Sequence, residues 1–117
     1  MITKLPPHKK GDWWNGFRVT VTPAIGTDPI DLTLATEILM QVKSDKTSKK
    51  SYLEFSLENG KITVLNAAQF SIDGQIVDIP AGKYFSDIEI TTQSGKPLTI
   101  HDFEWEITQD VSRKVIV

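Results

Sequence analysis

The sequence predicts an all-β domain, an antiparallel β-sandwich of about seven strands. Two observations carry this. Apolar residues recur at every second position in short runs, which is the period of a half-buried strand. Turn residues then punctuate the chain about every 8–12 residues. A chain of 117 residues has room for one core that folds without staples. The sandwich is expected over 11–110, with an extended N-terminal arm at 1–10 and a short tail at 111–117.

Met1–Lys10 contains Pro6-Pro7 and Lys9-Lys10 and reads as the arm. Phe17, Val19 and Val21 alternate with Arg18, Thr20 and Thr22, a strand with one apolar face. Pro23, Gly26, Asp28 and Pro29 make a loop. Asp31–Met40 is the best helical candidate, with Thr33 as its cap, but its β-branched, alternating end favours a strand. In that strand Ile38, Met40 and Val42 share a face. Ser44–Ser51 is Lys/Ser/Asp-rich and reads as an exposed loop. Leu53, Phe55 and Leu57 then alternate with Tyr52, Glu54 and Ser56. Asn59-Gly60 is a hairpin signal, since both residues tolerate positive φ, and 61–65 is its expected return strand.

A single helical turn is expected near Asn66–Gln69. Phe70 and Ile72 precede Asp73-Gly74, a second hairpin-type pair, and 75–79 is a short strand stopped by Pro80. Ala81-Gly82 leads into a strand over 83–92, with Tyr84, Ser86, Ile88 and Ile90 on one face and Phe85, Asp87 and Glu89 on the other. Ser94-Gly95-Lys96-Pro97 turns the chain into 98–108. There Phe103, Trp105 and Ile107 point inward, and Asp102, Glu104 and Glu106 point outward. The tail at 111–117 is placed to add an edge strand.

Composition removes several classes of function. The net charge is −2, which argues against phosphate-backbone binding, so no nucleic-acid partner is expected. There is no Cys, which excludes disulfides, thiolate nucleophiles and Cys-ligated zinc. No apolar run approaches the length of a spanning helix, and no signal-peptide core follows Met1, so no membrane association is expected. Charge is uneven along the chain: residues 1–50 carry 8 basic and 5 acidic side chains, and residues 51–117 carry 5 and 10.

The residues that bear chemistry do not assemble into a motif. Of the two histidines, His8 lies in the arm and His101 lies beside Asp102, whose side chain a strand sends to the opposite face. No serine has a Gly-x-Ser-x-Gly setting. Glu104 and Glu106, like Asp87 and Glu89, pair up on one strand face, where carboxylates serve solubility and discourage edge pairing. Asp28 and Asp31 flank a loop, and Asp73 and Asp78 flank a short strand, without EF-hand spacing. Lys43, Lys46, Lys49 and Lys50 form a basic run with no aromatic interleaved for base stacking. The expectation is therefore no enzyme, no catalytic or metal residues and no cofactor.

Trp13 and Trp14 stand apart. Adjacent aromatics in a strand face opposite sides, so only one enters the core. The other lies over the rim, meets a partner or offers a shelf for a sugar, and tryptophan is enriched at interface hot spots. Trp13 and Trp14, with Lys9 and Lys10 of the arm, are the candidate interface.

Several segments, in order, resemble the small immunoglobulin-like domains of phage tail and baseplate proteins. The nearest type is the N-terminal domain of siphophage baseplate upper proteins. The matching pieces are Lys10-Gly11-Asp12, Pro29–Thr33 followed by Ile38–Val42, Leu57–Ile62 around Asn59-Gly60, Pro80–Glu89 and Asp110–Arg113. Tyr84 resembles the tyrosine of a sandwich corner, with its ring inside and its hydroxyl on backbone. Trp13-Trp14 departs from the smaller polar residues usual there, and Leu34 replaces a common Gly. No coiled coil or receptor-binding domain follows, so a long fibre is not expected.

The resemblance implies a non-enzymatic structural protein of a bacteriophage particle, localised to the virion. It would be an adaptor or decoration domain docking onto tail, baseplate or capsid through its N-terminal arm and a sheet edge. Its partners would be other virion proteins, with symmetric copies or a homo-oligomer in the assembly. The alternative is a carbohydrate-binding β-sandwich for host adhesion.

Overall fold

A computed structural model describes residues 2–22 and 30–109. The loop expected at Pro23–Pro29, the candidate ligand Asp28, the ending Asp110–Arg113 and the tail at 111–117 lie outside the described residues. The described chain is all-β. It forms β1 (Ile2–Lys4), β2 (His8–Lys9), β3 (Trp13–Trp14), β4 (Phe17–Thr20), a 3-10 turn at Leu32–Leu34, β5 (Glu37–Lys43) and β6 (Leu53–Ser56). It continues with β7 (Ile62–Asn66), β8 (Gln69–Ile72), β9 (Gln75–Ile76), β10 (Gly82–Thr91) and β11 (Pro97–Thr108).

The large sheet runs β1-β11-β10-β5-β6, with β2 continuing along β11 beyond β1. The small sheet is β4-β8-β7, and β3 pairs β9 in a separate two-stranded ribbon. Period-two alternation explains the core. Ile38, Met40 and Val42 on β5, with Tyr84, Ile88 and Ile90 on β10, are all buried. Phe103, Trp105 and Ile107 on β11 join them. The small sheet contributes Ile62, Phe70 and Ile72, and Leu32, Val77 and Ile79 fill the flanks. No helix among the described residues is long and apolar enough to cross a membrane.

The corner before β10 has the expected form. Tyr84 is 3% exposed, and its hydroxyl donates to the carbonyl of Pro80 at 2.5 Å. Burial pushes the phenol above its ordinary pKa, and the neighbouring Tyr52 pushes the same way. Elsewhere the connections differ from expectation. Asp31, not Thr33, caps the 3-10 turn, and its carboxylate accepts from both the amide and the hydroxyl of Thr33.

Neither expected hairpin forms. After Asn59-Gly60 the chain leaves the large sheet, so β7 pairs β8 and not β6. The Asn59 side chain makes that corner by accepting from the amides of Ser56 and Lys61 and donating to the Glu54 carbonyl. After Asp73-Gly74 the short β9 pairs β3 and not β8. The tight turn of the small sheet is instead at Ala67-Ala68, between β7 and β8. It replaces the helical turn expected there, and the Asn66 carboxamide accepts from the Ala68 amide.

The segment read as an arm is extended, but it is paired. β1 and β2 run parallel to β11, with Ile2 opposite Asp102 and His8 opposite Ile107. The Leu5 amide donates to the Glu104 carbonyl at 2.9 Å, and the Trp105 indole donates to the Pro6 carbonyl at 3.1 Å. Backbone pairing, unavailable to a free arm, holds it on the sheet.

Candidate functional site

The ribbon of β3 and β9 sorts the two tryptophans. Trp13 lies opposite Ile76, and Trp14 opposite Gln75. Gly11 donates to the Val77 carbonyl at 2.7 Å and Val77 donates back to Asp12, which extends the pairing by one step. Two glycines allow the strands to approach this closely. A Cβ on Gly16, whose φ is +69°, would stand 2.0 Å from the Ile72 carbonyl oxygen. One on Gly74 would stand 2.5 Å from the Trp14 carbonyl oxygen.

Trp14 turns inward and closes one end of the sandwich. Its ring centroid lies 5.7 Å from Phe17 of the small sheet, and 5.6 and 5.0 Å from Phe55 and Trp105 of the large one. Such tilted and edge-on contacts suit aromatic quadrupoles. Trp13 turns outward and is 60% exposed, with its indole N–H held by the Asn15 carboxamide oxygen at 3.0 Å. Its cross-strand partner Ile76 is also 60% exposed. Two large apolar side chains therefore stand side by side in water. Asp78, two residues beyond Ile76, pairs with the Lys10 ammonium at 2.5 Å.

The four candidate interface residues thus separate. Trp13 is on the exposed patch, and Lys10 forms the ion pair beside the ribbon. Trp14 is half-buried in the aromatic cluster, and Lys9 is exposed on β2 opposite Thr108. Ile76 completes the patch and was not singled out in the sequence. Its signal was present, because Val77 and Ile79 inside place Ile76 outside by alternation.

Several of the remaining candidates have structural partners. His8 Nε2 meets the Asp12 carbonyl at 2.9 Å, and His101 Nε2 meets the Thr3 hydroxyl at 2.5 Å. Glu104 pairs with Lys83 at 3.2 Å. Asp31 is a cap and Asp78 is ion-paired, and no group of three or more His, Asp or Glu among the described residues is placed to hold a metal.

The lysine loop is tied to aromatics that the fold supplies. Lys46 lies 5.5 Å from the centroid of Phe85, and Lys50 lies 4.8 Å from that of Tyr52. Phe85, Lys43, Lys46, Gln41, Asp87 and Asp102 line an open groove of about 180 Å³ on the outer face of the large sheet. Within it Asp87 faces Asp102 across β10 and β11.

Comparison of the chain with protein-family models, curated proteins and solved structures returns no match. The patch of Trp13 and Ile76 must be read on its own chemistry.

Proposed function

We propose that this chain is a non-enzymatic structural component of a bacteriophage particle. In this reading it is an immunoglobulin-like sandwich that docks onto tail, baseplate or capsid proteins. The observation that supports docking is the exposed pair of Trp13 and Ile76 on a braced ribbon. Burying apolar surface recovers roughly 25 cal/mol per Å², and tryptophan is enriched among the residues that dominate interface energetics. The ribbon is rigidified by two glycine contacts and by Trp14 beneath it, so little ordering entropy is lost on docking. The virion assignment rests on the resemblance of the sequence segments. Residues 2–4 and 8–9 pair with β11, so in this reading the ribbon is the docking surface.

A glycan-binding role would use the same indole. Ile76 offers no group to hold a sugar hydroxyl, and the Trp13 N–H is already given to Asn15. That environment favours a protein partner.

Mass spectrometry of washed phage particles tests the reading. The chain should be present at a fixed copy number relative to the major capsid protein, and the Trp13→Ala chain should be lost from particles while remaining folded. Absence of the wild-type chain from washed particles overturns the virion assignment. Retention of Trp13→Ala overturns the role of the ribbon.

A further inference from the structure

We propose that the segment Ile2–Lys10 exchanges between copies of this chain, so that the segment of one copy lies along β11 of another. The inference goes beyond the docking reading and does not depend on it.

The segment bonds in sheet fashion to β11 alone, and it joins the rest of the described chain only through Lys10–Asp12. It lies shallow on the sheet. Among residues 3–10, Thr3, Lys4, Pro6, Pro7 and Lys9 are exposed, and Leu5, His8 and Lys10 are half-buried. Pro6 and Pro7 have no N–H to give to β11. Few buried contacts and a shortened ladder place the segment at the low-stability end of the fold, where local opening occurs.

Opening leaves β11 as a demanding edge. The carbonyls of Glu104 and Thr108 lose the amides of Leu5 and Lys10, and the Trp105 indole N–H loses the Pro6 carbonyl. An exposed strand edge with unpaired groups is a template for another strand. The site selects this particular sequence. Leu5 packs on the core, His8 lies 5.9 Å from Trp105, Thr3 meets His101, and Lys10 meets Asp78. A second copy supplies every one of these partners. Lys10 travels with the segment, so the change of course falls on Gly11–Asp12, and its main cost is the two bonds these residues make with Val77.

The chain contains no Cys, so an introduced pair reports the exchange without background. Lys4 and Glu104 stand directly opposite each other on the parallel strands, which makes Lys4→Cys/Glu104→Cys the natural pair. Oxidised from dilute to concentrated solution, that chain should form covalent dimers through residues 4 and 104. The ratio of dimer to internally closed monomer should rise with concentration, as mass action requires. Internal closure at every concentration overturns the proposal. The wild-type chain gives a second test that does not depend on folding of the variant. A fluorescent peptide of residues 2–10 should bind it saturably, with slow onset, while a scrambled peptide should not. Failure of the native peptide to bind overturns the proposal.

Discussion

The inner and outer faces of the β3–β9 ribbon carry the same residue type with opposite consequences. Trp14 is packed among Phe17, Phe55 and Trp105 and joins the two sheets. Trp13, one residue earlier, stands 60% exposed beside Ile76. Nothing in the chemistry of the indole distinguishes them. Strand alternation does, with Phe17, Phe55 and Trp105 holding Trp14 on the inner side. Adjacent identical residues can thus divide between holding a fold together and presenting a surface.

The largest effect should come from the inner face. Trp14→Ala removes a ring shared by both sheets and should cost about 3 kcal/mol of stability, measured by urea unfolding. A loss below about 1 kcal/mol would show that the cluster does not bridge the sheets. Next comes the support of the ribbon. Gly74→Ala forces a Cβ to within 2.5 Å of the Trp14 carbonyl oxygen and should cost about 1–3 kcal/mol. Its near-ultraviolet circular dichroism should change with it, because both indoles move; an unchanged spectrum would separate ribbon geometry from this contact.

Away from the ribbon, Tyr84→Phe leaves the Pro80 carbonyl without its donor and should cost about 1 kcal/mol. The pH dependence has a definite sign. The phenol pKa is raised in the folded state, so its contribution is full below the ordinary tyrosine value near 10 and declines as pH rises through the folded value. A melting-temperature series through the alkaline range should fall less steeply for Tyr84→Phe; equal slopes would assign the decline to other groups. The smallest effect on stability belongs to the outer face. Trp13→Ala should change it by less than about 0.5 kcal/mol. If Trp13→Ala and Trp14→Ala destabilise equally, the two faces do not differ in the way described.

The long strands were legible because their burial follows a local period. Ile38, Met40 and Val42, and Phe103, Trp105 and Ile107, point inward as alternation requires. The connections were less legible. Asn59-Gly60 turns the chain but passes it to a different sheet, whereas Asp73-Gly74 makes no turn: β8 and β9 run on in one direction and pair β4 and β3 in one register. A dipeptide sets local backbone angles, whereas the choice of pairing partner depends on distant apolar faces. Ala67-Ala68 carries no turn signal of its own; Asn66 supplies it from the side. At the candidate site, the opposite facing of Trp13 and Trp14 was readable. Which one entered the core was not, because that depends on Phe55 and Trp105, which only the fold brings to Trp14. The pairing of residues 2–9 with β11 was likewise hidden, since Pro6-Pro7 suggests a segment outside a sheet.

The aromatic cluster also gives the protein an optical asymmetry. Of its three tryptophans, Trp14 and Trp105 sit 5.0 Å apart at a 45° tilt, close enough for their transitions to couple, and Trp13 alone stands in water. Emission at the red edge and sensitivity to acrylamide therefore belong to one residue. Covering that residue shifts the spectrum to the blue, while unfolding shifts it to the red. The two events carry opposite colours, and an unlabelled sample reports which has occurred.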